Sequence, residues 1–365
     1  MTDARAVSST YLEWAKLCSR AKYNLATSGI MSYPLAELHI SAQNLEINGP
    51  DAYGYVPLVE RLARKCGVAP NCVVTAAGTS MANHLAMAAL IQPGDDVLIE
   101  QPSYGPILDV ASYLGANILR CERRAEHDFQ VDPSDVARHI TPKTRLICLT
   151  NLHNPSGAML SDETLTRIGQ IAEKSGAQVL VDEVYLDMVY DQPVRSSFHL
   201  GGNFVVTNSL TKAYGVSGLR CGWILAQPGL AKRMWRLNDL FAATPVHPGE
   251  MLSVEALDQL DKIDARARAI LDTNRKALDA FFSGRSDLNG FRSSWGTVTF
   301  PRLKNGRVDE FCEFLRTRYE TSVVPGRFFE LADYFRIGIG GDTAMTAEAL
   351  KRLAAALDEW GTNRA

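Results

Sequence analysis

Short apolar runs alternate with amphipathic stretches along most of this chain. Residues 73–75, 96–100, 117–120, 145–150, 178–182 and 204–207 read as strands. Between them lie helical patterns. Leu58, Leu62 and Ala63 form a stripe after Tyr53, and 81–90, 107–114 and 160–175 follow the same period, with a further start at Pro133. Strands alternating with helices predict a mainly parallel sheet covered on both faces. Past Trp223 the pattern changes. Residues 228–241 and 249–282 read as long helices, the second opening at Pro248-Gly249 with the length of an inter-domain spine. Residues 296–301, 321–325 and 334–339 read as strands. A closing helix has Thr346 as its N-cap and Leu350, Leu353, Ala354 and Leu357 on one face. Before all this, residues 11–21 form an imperfect helix with Leu12, Ala15 and Leu17 on its apolar side, followed by a turn at 24–30 containing Gly29.

The expectation is an α/β fold: a large domain with a mainly parallel sheet sandwiched by helices, plus a smaller α+β domain. Its divisions are 1–45, an N-terminal arm and part of the small domain; 46–247, the large domain; 248–285, an inter-domain helix; and 286–365, the C-terminal small domain. A chain of 365 residues that is 46% hydrophobic can bury two such cores.

Composition narrows the function classes. A net charge of -3 gives no electrostatic reason to expect nucleic acid, and the arginines at 120, 123 and 124 alternate with glutamates as on a solvated face. Seven cysteines stand singly with no C-x-x-C, which favours reduced thiols in the cytoplasm over disulfides or zinc. The scattered histidines have no metal-ligand spacing. No stretch of about 18 apolar residues suggests a membrane span.

In a parallel sheet, ligands sit beyond the carboxyl ends of the strands. Immediately after the expected strands come Gly78-Thr79-Ser80, Tyr104, Asn154, Asp182 with Tyr185, and Ser209 with Lys212. The Gly78 turn before a helix directs backbone N–H groups at an anion, although it is also an ordinary helix cap. Singly, each has a plain reading: Asp182 as a cap, Asn154-Pro-Ser-Gly157 as a turn, Tyr185 as core packing, Ser209 as a turn cap, Arg220 and Arg336 as surface cations. His153 reads as a structural or lining residue.

The string from Ser209 to Arg220, SLTKAYGVSGLR, resembles the cofactor-lysine loop of fold-type I pyridoxal-phosphate (PLP) enzymes, the aspartate aminotransferase superfamily. Asn154-Pro-Ser-Gly157 is similar to that family's Asn-Pro-Thr/Ser-Gly loop, and Asp182-Glu-Val-Tyr185 to its Asp-x-x-Tyr. Phe335-Arg336-Ile-Gly338 is similar to its substrate-carboxylate segment, with Val324-Pro-Gly326 before it. The resemblance covers nearly the whole chain and makes the larger domain the PLP-binding one. It implies that Lys212 forms a Schiff base with PLP and that Asp182 is counter-charge to the ring nitrogen. Asn154 and Tyr185 would donate to the ring's phenolic oxygen and Tyr104 would stack on the ring. Gly78, Thr79, Ser80, Ser209 and Arg220 would hold the phosphate, and Arg336 the substrate α-carboxylate, with Asn154 and Gly29 close to the substrate. Lys212, Asp182 and Tyr185 are the expected catalytic set.

The activity so implied is transfer of an amino group from an L-amino acid to a 2-oxo acid. β/γ-Elimination, cyclisation, decarboxylation and aminocyclopropane-carboxylate-synthase-like chemistry are alternatives on the same fold. A sensor domain of a transcription regulator is disfavoured, because about 45 residues before the large domain leave no room for a DNA-binding module. No second arginine is placed to bind a side-chain carboxylate, so aspartate and glutamate are disfavoured as donors. The resemblance also implies a homodimer with a shared site. The family's phosphate-binding tyrosine from the neighbouring subunit corresponds to the region of Tyr53 and Tyr55, where Gly49 is an alternative occupant of its position.

Overall fold

A computed structural model of the protein describes residues 5–40, 45–50 and 52–362; residues 1–4 and 41–44 of the expected N-terminal arm lie outside it. The chain opens with helix α1 (Thr10–Leu17), whose N-cap Ser9 accepts from Leu12 N, and the short strand β1 (Tyr23–Asn24). Helix α2 (Val56–Cys66) buries Leu58, Leu62 and Ala63, the expected stripe, and ends at Gly67 in the left-handed region.

The central sheet is built from β2 (Val73–Ala77), β3 (Asp96–Gln101), β4 (Asn117–Glu122), β5 (Thr144–Thr150), β6 (Gln178–Asp182), β7 (Phe204–Ser209) and β8 (Cys221–Leu225). Their order is β2-β8-β7-β6-β5-β3-β4. The pairings are parallel except those of β8, which runs antiparallel to both β2 and β7. Alternate residues of the strands feed two different cores. Val97, Ile99, Leu146, Cys148 and Val205 pack on one face with helix α3 (Gly78–Leu90) and helix α8 (Pro228–Asn238). Leu98, Ile147, Leu149, Val179 and Val181 pack on the other with helix α6 (Asp162–Ser175). Burial on both faces is why the strands read as continuous apolar runs. Each such side chain contributes roughly 1.5–3 kcal/mol. Helices α4 (Gly105–Tyr113), α5 (Pro133–His139) and α7 (Leu210–Ala213) complete this part, and Asp132 caps α5 by accepting from Ser134 N.

Four expectations need correction. Arg123, read with Arg120 and Arg124 as part of a solvated face, is buried and pairs with buried Glu100 at 2.7 Å, a charge the fold can bury because its partner is buried beside it. Strand β8 carries no assignment in the sequence reading, because its five residues begin directly at the end of the lysine loop. Gly222 lets it lie against α3: a Cβ there would come within 2.4 Å of the Gly78 carbonyl carbon. The single helix expected over 249–282 is two, α9 (His247–Asp258) and α10 (Leu260–Phe282), broken at Gln259, whose ψ of 19° leaves the helical region. The closing helix α12 (Thr343–Thr362) starts earlier than Thr346. Asp342 Oδ1 accepts from Met345 N at 2.9 Å and does the capping, while Thr346 lies buried inside the helix.

The remaining strands are short. β9 (Leu288–Asn289) pairs with β11 (Arg302–Leu303), and β10 (Val298–Thr299), β14 (Phe335–Gly338) and β13 (Val324–Pro325) form an antiparallel trio. β12 (Thr321–Ser322) pairs in parallel with β1, tying the N-terminal segment to the C-terminal elements, which include helix α11 (Val308–Arg318). The cysteines are free thiols, and among the described residues no helix is long and apolar enough to cross a membrane.

Candidate active site

The carboxyl end of β6 delivers Asp182 into the space below α3. Its Oδ2 accepts from Asn83 Nδ2 at 2.8 Å and its Oδ1 from the Val184 backbone at 3.1 Å. Asn83 is held in turn, its Oδ1 accepting from Thr207 Oγ1 at 2.5 Å. Burial pushes the Asp182 carboxyl up to about 6, against the opposing pull of those hydrogen bonds and of Lys212. The sequence reading passed over Asn83. Its signal was present: an amide beside His84 in a helix otherwise apolar from Met81 to Leu90, five residues after Gly78.

β7 ends at Ser209, and the single turn α7 then presents Lys212. Its Nζ donates to Ser28 Oγ at 3.1 Å. Desolvation first, and Arg336 second, bring its ammonium down to about 8, with Asp182 pulling the other way. Gly29 abuts this lysine. A Cβ at Gly29 would lie 3.2 Å from Lys212 Cδ, and Ile30 N donates to Lys212 O at 2.9 Å. The glycine is therefore a close approach as well as a turn.

At the start of α3, Thr79 Oγ1 donates to Ser209 Oγ at 2.8 Å, joining the first turn of α3 to the end of β7, 130 residues apart. Arg220 adopts φ 51° and sends Nη2 to Ala77 O at 3.1 Å. Gly78, at φ 77°, leaves room for that guanidinium: a Cβ would stand 2.2 Å from Arg220 Nη2. Ser80 lines the same space.

Arg336 on β14 is fully buried. Nη1 donates to Asn154 Oδ1 at 2.8 Å; Nη2 donates to Ala26 O and to Tyr11 Oη, each at 3.0 Å. Tyr104, at the N-cap of α4, meets the Tyr11 ring edge-on at 5.5 Å. Asn154 N donates to Thr150 Oγ1, and Thr150 Oγ1 donates to Glu100, which pairs with buried Arg123 at 2.7 Å. His153 is committed to Ser156 Oγ and Pro102 O, and burial drives its pKa well below the usual range, so its role is structural.

Thr79, Ser80, Asn83, Tyr104, Asn154, Asp182, Tyr185, Lys212 and Arg220 thus line one cavity of about 200 Å³. It adjoins a second of about 550 Å³ that Gly29, Tyr104 and Lys212 share with Tyr11. Gly78 and Ser209 touch the first cavity's residues, and Arg336 lies behind Asn154. Tyr53 and Tyr55 line neither cavity. Tyr53 donates to Asp239 at 3.1 Å, and the Tyr55 ring packs edge-on against His247, whose ring also faces Gly49.

These residues fit PLP. Asp182 is a buried carboxylate without an ion pair among the described residues, which a ring N–H⁺ would answer. The Tyr185 hydroxyl is buried with Ser28 as its polar neighbour, and burial pushes its pKa up to about 12, so it stays a donor. A helix N-terminus with Thr79, Ser80, Ser209 and Arg220 suits a phosphate.

Comparison with known proteins gives the same direction. The profile of the family "Aminotransferase class I and II" matches residues 30–353. Capreomycidine synthase of Streptomyces vinaceus is 29% identical over 358 residues, covering 94% of this chain and 91% of the relative. Arginine–pyruvate transaminase of Pseudomonas aeruginosa is 27% identical, covering 81% and 78%. Among solved structures, a PLP-dependent aminotransferase from Streptococcus suis superposes with a TM-score of 0.92 at 25% identity, covering 98% and 99% of the two chains. The PLP-dependent cyclase OrfR shares the fold, with a TM-score of 0.87 at 23% identity and coverage of 99% and 98%. With the family profile spanning Lys212, the strand-end residues and Arg336, the chain belongs to the class I and II aminotransferases, and its cofactor is pyridoxal 5'-phosphate.

Proposed function

We propose that this protein is an aminotransferase that moves the amino group of an L-amino acid to a 2-oxo acid. The observation that carries the reading is Lys212, half-buried opposite Asp182 with its amine brought to about 8. An amine so poised is neutral in a useful fraction near neutral pH and can act as nucleophile and base.

Lys212 would hold the cofactor and, once released, take the substrate's α-proton and return it. Asp182, oriented by Asn83 and the Val184 N–H, would face the ring nitrogen. Asn154 and Tyr185 would donate to the ring oxygen. Thr79, Ser80, Ser209, Arg220 and the turn at Gly78 would hold the phosphate, and Tyr104 would cover the ring. When bound, PLP supplies an electron sink for negative charge developing at the substrate's Cα. Arg336 would hold the α-carboxylate, beside Asn154 and with Gly29 across the adjoining cavity, orienting the Cα–H bond.

The domain divisions stated from the sequence remain our reading, with 46–247 as the PLP-binding part. We also infer a cytoplasmic homodimer. Unpaired cysteines suit a reducing compartment. Ile47 and Val246, exposed apolar residues that line one groove with Tyr55 and His247, suit burial against a second copy.

The test is a half-reaction. Enzyme loaded with PLP is mixed with single L-amino acids and no oxo acid, and the absorption spectrum is followed. Conversion of the cofactor to its amine form supports transamination. A second reading, ring closure or elimination, is favoured by the similarity to capreomycidine synthase over nearly the full length. Return of the starting spectrum with release of ammonia or a cyclic product would replace the first reading by the second.

A further inference from the structure

Arg336 is assigned above to the substrate α-carboxylate, yet it is fully buried, and the group that lines the adjoining cavity in front of it is Tyr11. The guanidinium has five N–H protons. One from Nη1 goes to Asn154 Oδ1, and two from Nη2 go to Ala26 O and Tyr11 Oη. Nε is buried without a partner among the described residues. Both Nη2 protons are therefore committed, one to a fixed backbone carbonyl and one to the tyrosine hydroxyl.

A tyrosine hydroxyl that accepts one hydrogen bond keeps its own proton to donate. Accepting from a cation polarises the O–H bond and makes it a better donor. Three rings fix the side chain: Tyr104 edge-on at 5.5 Å, and Phe328 and Phe329, each at 5.8 Å. Helix α1 carries Tyr11, with Leu12, Trp14 and Ala15 lining the same cavity.

We propose that Tyr11 is a substrate-binding residue: its hydroxyl, held by Arg336, donates to the α-carboxylate and so makes helix α1 one wall of the substrate site. This rests on the assignment of Arg336 to the carboxylate. The carboxylate then meets an Arg336–Tyr11 pair in place of a bare guanidinium, and the N-terminal helix is contacted by every substrate regardless of its side chain.

The test uses the PLP-loaded enzyme and two small amines that differ only in the carboxylate, 2-aminoisobutyrate and isopropylamine. Binding of each is followed through the initial absorption change of the bound cofactor, before the Cα–H that isopropylamine alone carries can react. Tyr11→Phe keeps the ring contacts and removes only the hydroxyl. The expected result is a roughly tenfold weaker Kd for 2-aminoisobutyrate, the size of one charge-assisted hydrogen bond, with the Kd for isopropylamine unchanged. Equal weakening for both amines would make the residue merely structural and overturn the proposal. Unchanged or tighter binding of 2-aminoisobutyrate would also overturn it, making the hydroxyl a bystander or an obstruction. If the wild-type protein itself bound both amines equally, the assignment of Arg336 would fall, and this proposal with it. Wild-type preference for the carboxylate with no loss in Tyr11→Phe removes the tyrosine alone.

Discussion

The Asn83 amide donates to Asp182 Oδ2 at 2.8 Å across 99 residues of sequence, and the Thr207 hydroxyl donates to the other end of the same amide. With the Asn83 oxygen engaged by Thr207, the amide nitrogen is directed at the carboxylate. The chain Thr207–Asn83–Asp182 opposes the burial that raises the carboxyl to about 6 and favours a negative charge where, on the proposed reading, a ring N–H⁺ would face it.

Asn83→Ala should therefore weaken PLP and slow turnover, leaving Asp182 only the Val184 N–H. Loss of one hydrogen bond to a charged group predicts a drop of about ten- to a hundredfold. Titration of the apoenzyme with PLP, read by absorbance, measures the binding part. Unchanged affinity and rate would show that Asp182 needs no such support.

Lys212→Ala should still bind PLP non-covalently, since the phosphate and ring contacts remain. Turnover should fall by about a thousandfold or more, because in the proposed mechanism the residue would supply both the attachment and the mobile base. Wild-type-like turnover in this variant would exclude the mechanism.

The rate at which the apoenzyme captures PLP should follow the neutral form of Lys212. The fold lowers this amine from 10.5 to about 8, so the rate rises with pH up to about 8 and levels above it. Below that it falls about tenfold per pH unit, until competing amines or PLP's own ionisation intervene. A midpoint near 10 in stopped-flow absorbance would mean that the lysine is not desolvated.

Apoenzyme stability should fall as pH rises from about 4 to about 7. Asp182 is raised from 3.8 to about 6, and Glu183 from 4.5 to about 7, in both cases chiefly by burial. The folded protein keeps these protons at pH values where the unfolded chain has released them, so each group's contribution is present below its unfolded pKa and lost through the folded one. For Asp182 the loss is on the order of 3 kcal/mol. The melting temperature should fall across this range for wild type and fall less for Asp182→Asn. PLP, by answering the Asp182 charge, should remove part of the slope.

Gly78→Ala should weaken PLP while leaving the sheet intact. The added methyl would meet the Arg220 guanidinium, and φ 77° strains any residue with a Cβ by roughly 1–2 kcal/mol. An unchanged PLP affinity would show that Arg220 can bind from elsewhere.

Much of this was legible in the sequence. Strands buried on both faces read as apolar runs, so the parallel sheet with Asp182, Asn154 and Lys212 at its strand ends follows from local pattern and order alone. The lysine loop, Asn154-Pro-Ser-Gly157 and the Arg336 segment have plain readings singly, and became legible as a site through their common order and their resemblance to one family. What one strand or one residue shows of itself, the sequence determined.

The rest was decided by tertiary structure, because it depends on partners distant in the chain. Strand β8 is five residues long and becomes a strand by lying between β2 and β7. The break at Gln259 leaves the apolar period of α9 and α10 nearly continuous, so periodicity could not find it. Asn83 is one polar residue of a mostly apolar helix until the sheet brings Asp182 and Thr207 to its two ends. Tyr11 is an N-terminal aromatic until β14 places Arg336, 325 residues later, at its hydroxyl. Period and propensity are local, whereas a hydrogen bond between two buried side chains exists only once the whole sheet and the segments around it have closed.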